Sequence, residues 1–398
     1  MSKKFRFHIL GLPHTVTNKD FTSCAYSMKT LKYGKMMKAL GHTVIHYGHQ
    51  DSDLICDEHV TVLSRDEYNR TYGEHDHKSK FFKFDMNDEA HQIFYKNAIE
   101  EIGKRKQPGD FLLAFWGFGH YPICIQHQDM IVVEPGIGYA EGQFAPFRVY
   151  ESYAIMHGVM GSDPIKNAGK CNSYHVVIPN YFDLDEFTYS EEKDDYFLHL
   201  GRIYFGKGID ITYRVCQELG LKLKVAGQGS LKEAGLAPIP GQIEEVGHAD
   251  VTKRNQLMSR AKGFFLPSMF HEPFGGTSLE SMICGSPVIS ADWGVFNETI
   301  LHGKTGFRCR TLDHFCYAAD RINKMSDSKR ALVAKNCHQW ATRNYSLERV
   351  GLMYEEYFSM IYDVFHGKGI HELHPERKQL DWLKKYYPDG INDPESDI

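Results

Sequence analysis

A strand-like run, a glycine turn and a helix occur in that order twice along the chain, and this restart limits the fold more than any other feature. The first occurrence runs from Phe5 to Leu10, through Gly11-Leu12-Pro13, to a helical stretch from about Cys24 to Leu40 that stops at Gly41, before a strand from Thr43 to Tyr47. Apolar runs bounded by glycine turns are the mark of buried parallel strands with their loops at the carboxyl ends. Phe111 to Trp116 and Met130 to Val133 repeat the pattern. Near residue 190 the text becomes turn-rich and then charged, at Ser190-Glu-Glu-Lys-Asp-Asp195, as a linker does. The grammar then begins again: strand Tyr196 to Leu200, loop Gly201 to Gly208, helix Ile209 to Leu219, strand Leu221 to Val225. Gly263 to Leu266, the loop Pro267 to Gly275, a helix from about Thr277 to Cys284 and a strand from Val288 to Ser290 extend it, with helical text to about Phe365.

An α/β chain of 398 residues exceeds the usual span of one core, so two parallel-sheet units are expected. The net charge of −5 supplies no bulk attraction to nucleic acid or anionic lipid. Nine scattered cysteines, never spaced Cys-x-x-Cys, suggest neither a disulfide framework nor a zinc site and fit a reducing cytoplasm. No apolar stretch approaches the roughly 20 residues of a membrane-spanning helix. Lys29, Lys32, Lys35 and Lys38 recur at helical spacing and read as a solvated face, with peripheral membrane contact or a nucleic-acid acceptor as the sharper alternative.

Two stretches carry chemistry. In Glu272-Pro-Phe-Gly-Gly-Thr-Ser-Leu-Glu280, two carboxylates flank a glycine-rich loop that opens a helix. The amides of Gly275, Gly276 and Thr277 would face outward there, where the helix dipole favours phosphate, and each carboxylate can reach a polyol. In Gly201-Arg202-Ile-Tyr-Phe-Gly-Lys207-Gly208, two cations stand at the carboxyl end of a strand, where open α/β sheets bind ligands; they suit a diphosphate, or else an exposed turn. Neither first turn reads Gly-x-Gly-x-x-Gly, which argues against a nicotinamide dehydrogenase.

These stretches, with Val177-Ile-Pro-Asn-Tyr-Phe-Asp-Leu-Asp-Glu-Phe187, Val225-Ala-Gly-Gln-Gly229, Gly285-Ser-Pro-Val-Ile289, Glu298 and Gly303-Lys-Thr-Gly306, make the chain similar to glycosyltransferase family 4 over about residues 176 to 345. That resemblance implies the GT-B fold, two Rossmann-like domains facing each other across a cleft. Residues 1–190 would bind the acceptor and 191–365 a nucleoside-diphosphate sugar, with 366–398 docking back on the first domain. It implies a retaining, metal-independent transfer without cofactor, from a UDP-sugar first, with GDP or ADP open. Arg202 and Lys207 would bind the diphosphate, Glu280 the ribose and Glu272 the sugar, with Gly201 and the Phe274, Gly275, Gly276 and Thr277 main chain beside them. Asp51-Ser-Asp53 and Asp183-Leu-Asp185 read as turns rather than metal sites.

The first half matches the family more loosely. Gly11 occupies the glycine-rich first turn, and His14 and His120 are further cleft candidates. Relatives place a histidine after the strand equivalent to Met130 to Val133, whereas this chain reads Glu134-Pro-Gly136-Ile-Gly-Tyr139. Glu134 either replaces the histidine on the donor or caps a turn, with Gly136 and Tyr139 near the sugar or acceptor. The acceptor itself, whether saccharide, lipid-linked, protein or nucleic acid, is left open. So are two rivals of other classes, a non-catalytic nucleotide-binding protein of the same fold and a sugar-nucleotide epimerase.

Overall fold

The computed structural model describes residues 3–21, 24–77, 80, 82–162 and 174–365. Two parallel sheets divide the chain. The first holds seven strands, β1 (Arg6–Leu10), β2 (Thr43–His49), β3 (Glu58–Leu63), β4 (Phe111–Leu113), β5 (Ile131–Ile137), β6 (Phe147–Tyr150) and β7 (His175–Val177), in the order β3-β2-β1-β4-β5-β6-β7. The second holds β8 (Phe197–Leu200), β9 (Leu223–Ala226), β10 (Ile243–Gly247), β11 (Gly263–Leu266), β12 (Val288–Ala291) and β13 (Gly306–Cys309), in the order β10-β9-β8-β11-β12-β13. In each sheet the opening strand has its successor on one side and a later strand on the other, so β1/β4 and β8/β11 are the points where the winding reverses and ligand crevices open.

Burial on both faces explains the continuous apolar strands. Phe264, Phe265, Val288 and Ile289 are fully buried, Phe264 and Val288 facing one layer of helices and Phe265 and Ile289 the other. In the first unit Phe5, Phe7, Ile9, Phe111 and Leu113 share a core with the helix Ala25–Ala39 through Tyr33, Met36 and Met37.

The sequence assigns the helical text up to Phe365 to the second unit; the structure divides it. The helix Asp327–Tyr345 packs on the second sheet through Val333, Cys337 and Ala341. The next helix, Leu347–Phe365, joins the first core through Val350, Tyr354, Tyr357, Phe358 and Ile361. Its apolar stripe matches the aromatic layer of Phe7 and Phe111, whose rings lie 4.7 and 4.9 Å from Phe358. The chain thus crosses between units twice, and the two crossings lie side by side: Phe182 N–H donates to Tyr345 O, and Leu347 N–H to Phe182 O. The expected docking of 366–398 lies outside the described residues. A smaller difference is that the strand after Gly220 starts at Leu223 rather than Leu221.

Buried histidines are numerous. Burial holds His46 and His120 down to about 3, and His42, His175 and His199 to about 4. Their folded values lie below the unfolded value near 6.5, so the unfolded chain binds more protons between those limits. Stability is therefore complete above about pH 6.5 and falls as pH drops toward 4, by up to about 1.4 kcal/mol per pH unit for each such group. Thermal unfolding followed from pH 7.5 to 4.5 should show a steep decline below 6.5; a flat melting temperature would contradict this account.

Candidate active site: a cleft with a main-chain floor

The ends of the second sheet form a floor of main chain. Gly201 follows β8 and Gly227 follows β9; a Cβ on Gly227 would stand 1.8 Å from the Gly201 carbonyl oxygen, so no side chain fits between them. Beside them the helix Gly276–Ile283 begins at Gly275, whose φ of 68° places it in the left-handed region and which offers no side-chain cap. The first amides of this helix therefore meet the cleft without a side chain of their own chain to satisfy them.

A cavity of 360 Å³ lies over that helix start, between the helix Ala25–Ala39 of the first unit and the second unit. Its charges come in pairs. Lys207 is ion-paired with Glu272, which also accepts a 2.8 Å hydrogen bond from the Ser268 hydroxyl and is 8% exposed. Arg254 is paired with Glu280, and Lys29 with Glu151, while Lys32 stands 3.6 Å from Glu186. Pairing of this kind lets a half-buried cavity hold charge without leaving any of it uncompensated. Phe274, Gly275, Gly276 and Thr277 complete the wall.

A second cavity, of 610 Å³, shares Ala25, Tyr26, Arg254 and Thr277 with the first, so the two are one continuous cleft. Gly201, Arg202, Gly227, Gln228 and His248 line it from the second unit, and His14, Phe84 and Trp116 from the first. The Arg202 guanidinium lies 5.3 Å from the centre of the Tyr204 ring.

All nine residues singled out in the second half (Gly201, Arg202, Lys207, Glu272, Phe274, Gly275, Gly276, Thr277 and Glu280) are thus brought into this cleft, and His14 joins them from the first half. Five others, Gly11, His120, Glu134, Gly136 and Tyr139, do not reach its lining. Glu134 is fully buried: it accepts hydrogen bonds from the Tyr139 hydroxyl at 2.7 Å and from the Phe144 and Ala145 amides at 2.9 and 2.8 Å, with Arg148 at 3.7 Å. Burial pushes its carboxyl up, against those hydrogen bonds. Its side chain clamps the loop after β5, which also occupies Tyr139. His120 accepts from the Trp116 amide and bonds the Gly11 carbonyl at 3.0 Å, so it ties the first turn to the turn after β4 instead of facing the cleft. Gly11 is itself buried, its amide donating to Tyr47 O. Gly136 presents its carbonyl to Lys29 at 2.8 Å and stands behind that lysine.

The lysine stripe is not a solvated face. Lys29 is buried, Lys35 pairs with Asp183 and with Asp185 at 3.3 Å, and Lys38 pairs with Asp57 at 2.7 Å, because the helix that carries them meets carboxylates of the first unit and of the crossing segment after β7. Asp183 spends its second role as a turn cap on Asp185 N–H, and Asp51 pairs with Arg65, in keeping with turns. Among the described residues no group of three or more His, Cys, Asp or Glu is placed to hold a metal.

Sequence reasoning missed Arg254, Lys29 and Glu151. Arg254 sits on a polar helix with no motif around it, and the Lys29–Glu151 pair joins positions far apart in the chain, so only packing reveals them. Two direct contacts bridge the units at the cleft: the Ser152 hydroxyl donates to Pro273 O at 2.6 Å, and Glu298 accepts the Tyr153 and Ala154 amides at 2.9 and 2.8 Å, capping the helix Tyr153–Ser162.

Residues 182–346 match the family model of Glycosyl transferases group 1. A stretch of 126 residues is 30% identical to glycogen synthase of Mycobacterium tuberculosis, covering 29% of this chain and 30% of that protein. Another of 118 residues is 33% identical to 2-deoxystreptamine N-acetyl-D-glucosaminyltransferase of Niallia circulans, over 27% of this chain and 30% of that protein. The matches thus span under a third of the length of these relatives. Across the whole chain the fold resembles sucrose-phosphate synthase of Thermosynechococcus elongatus, with a TM-score of 0.65 at 14% identity over 91% of this chain and 100% of that one. It also resembles HepE of Anabaena in complex with UDP and glucose, with a TM-score of 0.64 at 14% identity over 89% and 99%. The fold is GT-B, two Rossmann-like units of parallel strands across a cleft. Family model and fold together support a glycosyltransferase of that architecture.

Glu134→Gln puts an amide where two amide donors and a hydroxyl converge on a buried carboxylate. It should lower stability by about 2 to 3 kcal/mol while leaving nucleotide binding intact. Thermal unfolding with and without UDP checks both halves, and loss of the UDP response at unchanged stability would return Glu134 to the donor site.

Proposed function

We propose that the chain is a retaining glycosyltransferase of the family 4 type, moving a sugar from a nucleoside-diphosphate sugar to an acceptor hydroxyl without metal or cofactor. The observation that carries the reading is the uncapped start of the helix Gly276–Ile283, set between the Lys207–Glu272 and Arg254–Glu280 pairs in one cavity. Helix amides and two cations, Arg202 and Lys207, offer the diphosphate its counter-charges and stabilise the charge that grows on it as the glycosidic bond breaks. Glu280 takes the ribose hydroxyls and Glu272 the transferred sugar. Residues of the first unit, 1–190, receive the acceptor, and those from 191 to 346 the donor.

UDP is the nucleotide of choice: HepE of Anabaena is described with UDP and with UDP-glucose, and the fold here resembles it. Retention rests on the family resemblance and involves attack on the same face as the departing diphosphate. The eight described cysteines are free thiols, which supports a reducing, cytoplasmic setting; no described helix is long and apolar enough to cross a membrane. One observation favours a second reading, a non-catalytic nucleotide-binding protein. The histidine of relatives after β5 is replaced by Glu134, and that side chain is turned away from the cleft.

Thermal unfolding with UDP, GDP and ADP, with and without EDTA, tests the donor site. At a hundredfold excess over Kd one nucleotide should stabilise the protein by about 2.7 kcal/mol, a shift of several degrees. EDTA should not alter the shift, and Glu280→Ala should abolish it; no response to any nucleotide would end the glycosyltransferase reading. Arg202→Ala should lower kcat by about a hundredfold or more with little change in melting temperature, measured on the transfer reaction. Nucleotide binding by the wild type with no transfer to any acceptor would favour the non-catalytic alternative.

A further inference from the structure

The wall of the larger cavity contributed by the first unit holds a polar group with no structural use. His14 is 6% exposed, it lines that cavity, and its Nδ1 has no hydrogen-bond partner among the described residues. Burial holds the imidazole down to about 3, so at neutral pH it is an uncharged ring with one donor and one acceptor nitrogen.

Two aromatic rings frame it. The Phe84 ring centre lies 4.9 Å away and stacks at 28°, and the Trp116 ring centre lies 4.8 Å away. Phe84 and Trp116 meet edge to face at 5.4 Å, and Phe84 is 48% exposed, a large apolar ring left facing the cleft. Across the cavity stand the polar side chains of Gln228 and His248, beside Arg202 and Thr277 of the proposed donor site.

We propose that this wall is an acceptor subsite for a hydroxylated six-membered ring, a free sugar or the terminal sugar of a glycan. The C–H face of the ring lies on Phe84 and Trp116, and one hydroxyl is hydrogen-bonded to the edge of the His14 imidazole that lines the cavity. Such a ring has one apolar face and a polar rim, which matches aromatic side chains on one side and polar ones on the other. A lipid chain would leave the polar side unpaired, and a nucleic acid would meet few cations here. The site also lies opposite Arg202, so a hydroxyl held there points toward the proposed donor diphosphate. The inference rests on the donor reading of the cleft, and its test separates the two.

Saturation-transfer NMR on the full chain, with and without saturating UDP, reports which small molecules touch the protein and through which protons. The probes are methyl glycosides of glucose, galactose, mannose, N-acetylglucosamine, xylose and rhamnose, myo-inositol and maltotriose, with p-nitrophenol and octanol as rivals. At least one hydroxylated ring should receive saturation at its ring C–H protons. Phe84→Ala, which removes an exposed side chain and leaves the core alone, should reduce that signal by about tenfold, and His14→Ala by a similar factor, with the UDP thermal shift unchanged. A stronger signal at the non-reducing ring of maltotriose than for methyl glucoside marks a glycan terminus; the reverse marks a free sugar. Binding of no hydroxylated ring, binding that survives Phe84→Ala, or binding of p-nitrophenol or octanol alone overturns the subsite. If UDP fails to stabilise the wild type, the donor reading falls; if UDP stabilises it and no ring binds, the acceptor inference falls by itself.

Discussion

The cleft depends on a steric exclusion at the carboxyl ends of β8 and β9. Gly201 and Gly227 pass so close that a single methyl group would overlap a carbonyl oxygen, and Gly275 turns the chain into the next helix with a backbone angle that other residues avoid. Because side chains are absent there, bare main chain forms the floor, and an anionic ligand can approach the N-terminus of the helix Gly276–Ile283. Cations, carboxylates and aromatic rings are arranged around that bare floor.

Charge balance is the second organising element. Lys207, Arg254, Lys29 and Lys32 each face a carboxylate, so the smaller cavity stays half-buried without isolated charge. Lys207–Glu272 and Arg254–Glu280 belong to the second unit, whereas Lys29–Glu151 belongs to the first and closes the cavity from the other side. Ser152–Pro273 and the capping of Tyr153–Ser162 by Glu298 bring the units into contact beside these pairs. The helix Leu347–Phe365 anchors the end of the second unit in the core of the first. Geometry across the cleft is thus set by a few polar contacts and two adjacent chain crossings.

Much of the donor side was legible in the residues themselves. Gly201, Arg202, Lys207 and the run from Glu272 to Glu280 form two contiguous stretches, and local chemistry places contiguous residues together whatever the rest of the chain does. The first unit was harder to read. Glu134 stands where the family resemblance implies a histidine, yet three donors supplied by Tyr139, Phe144 and Ala145 turn it inward; only the folded loop brings them to it. The lysines of the helix Ala25–Ala39 looked solvated because their partners, Glu151, Asp57, Asp183, Asp185 and Glu186, are distant in sequence.

The sequence by itself determined two parallel sheets, their glycine turns and the chemical character of the second unit's side of the cleft, because strand period, helix period and turn residues are local properties. Tertiary structure alone decided that the last helix returns to the first core, that Arg254 and Glu151 enter the cleft, that His120 and Glu134 leave it, and that His14, Phe84 and Trp116 converge opposite Arg202. Each of these depends on which surfaces meet when two separately wound sheets pack, and burial, pairing and exclusion across that contact act between residues whose neighbours in the chain carry no trace of them.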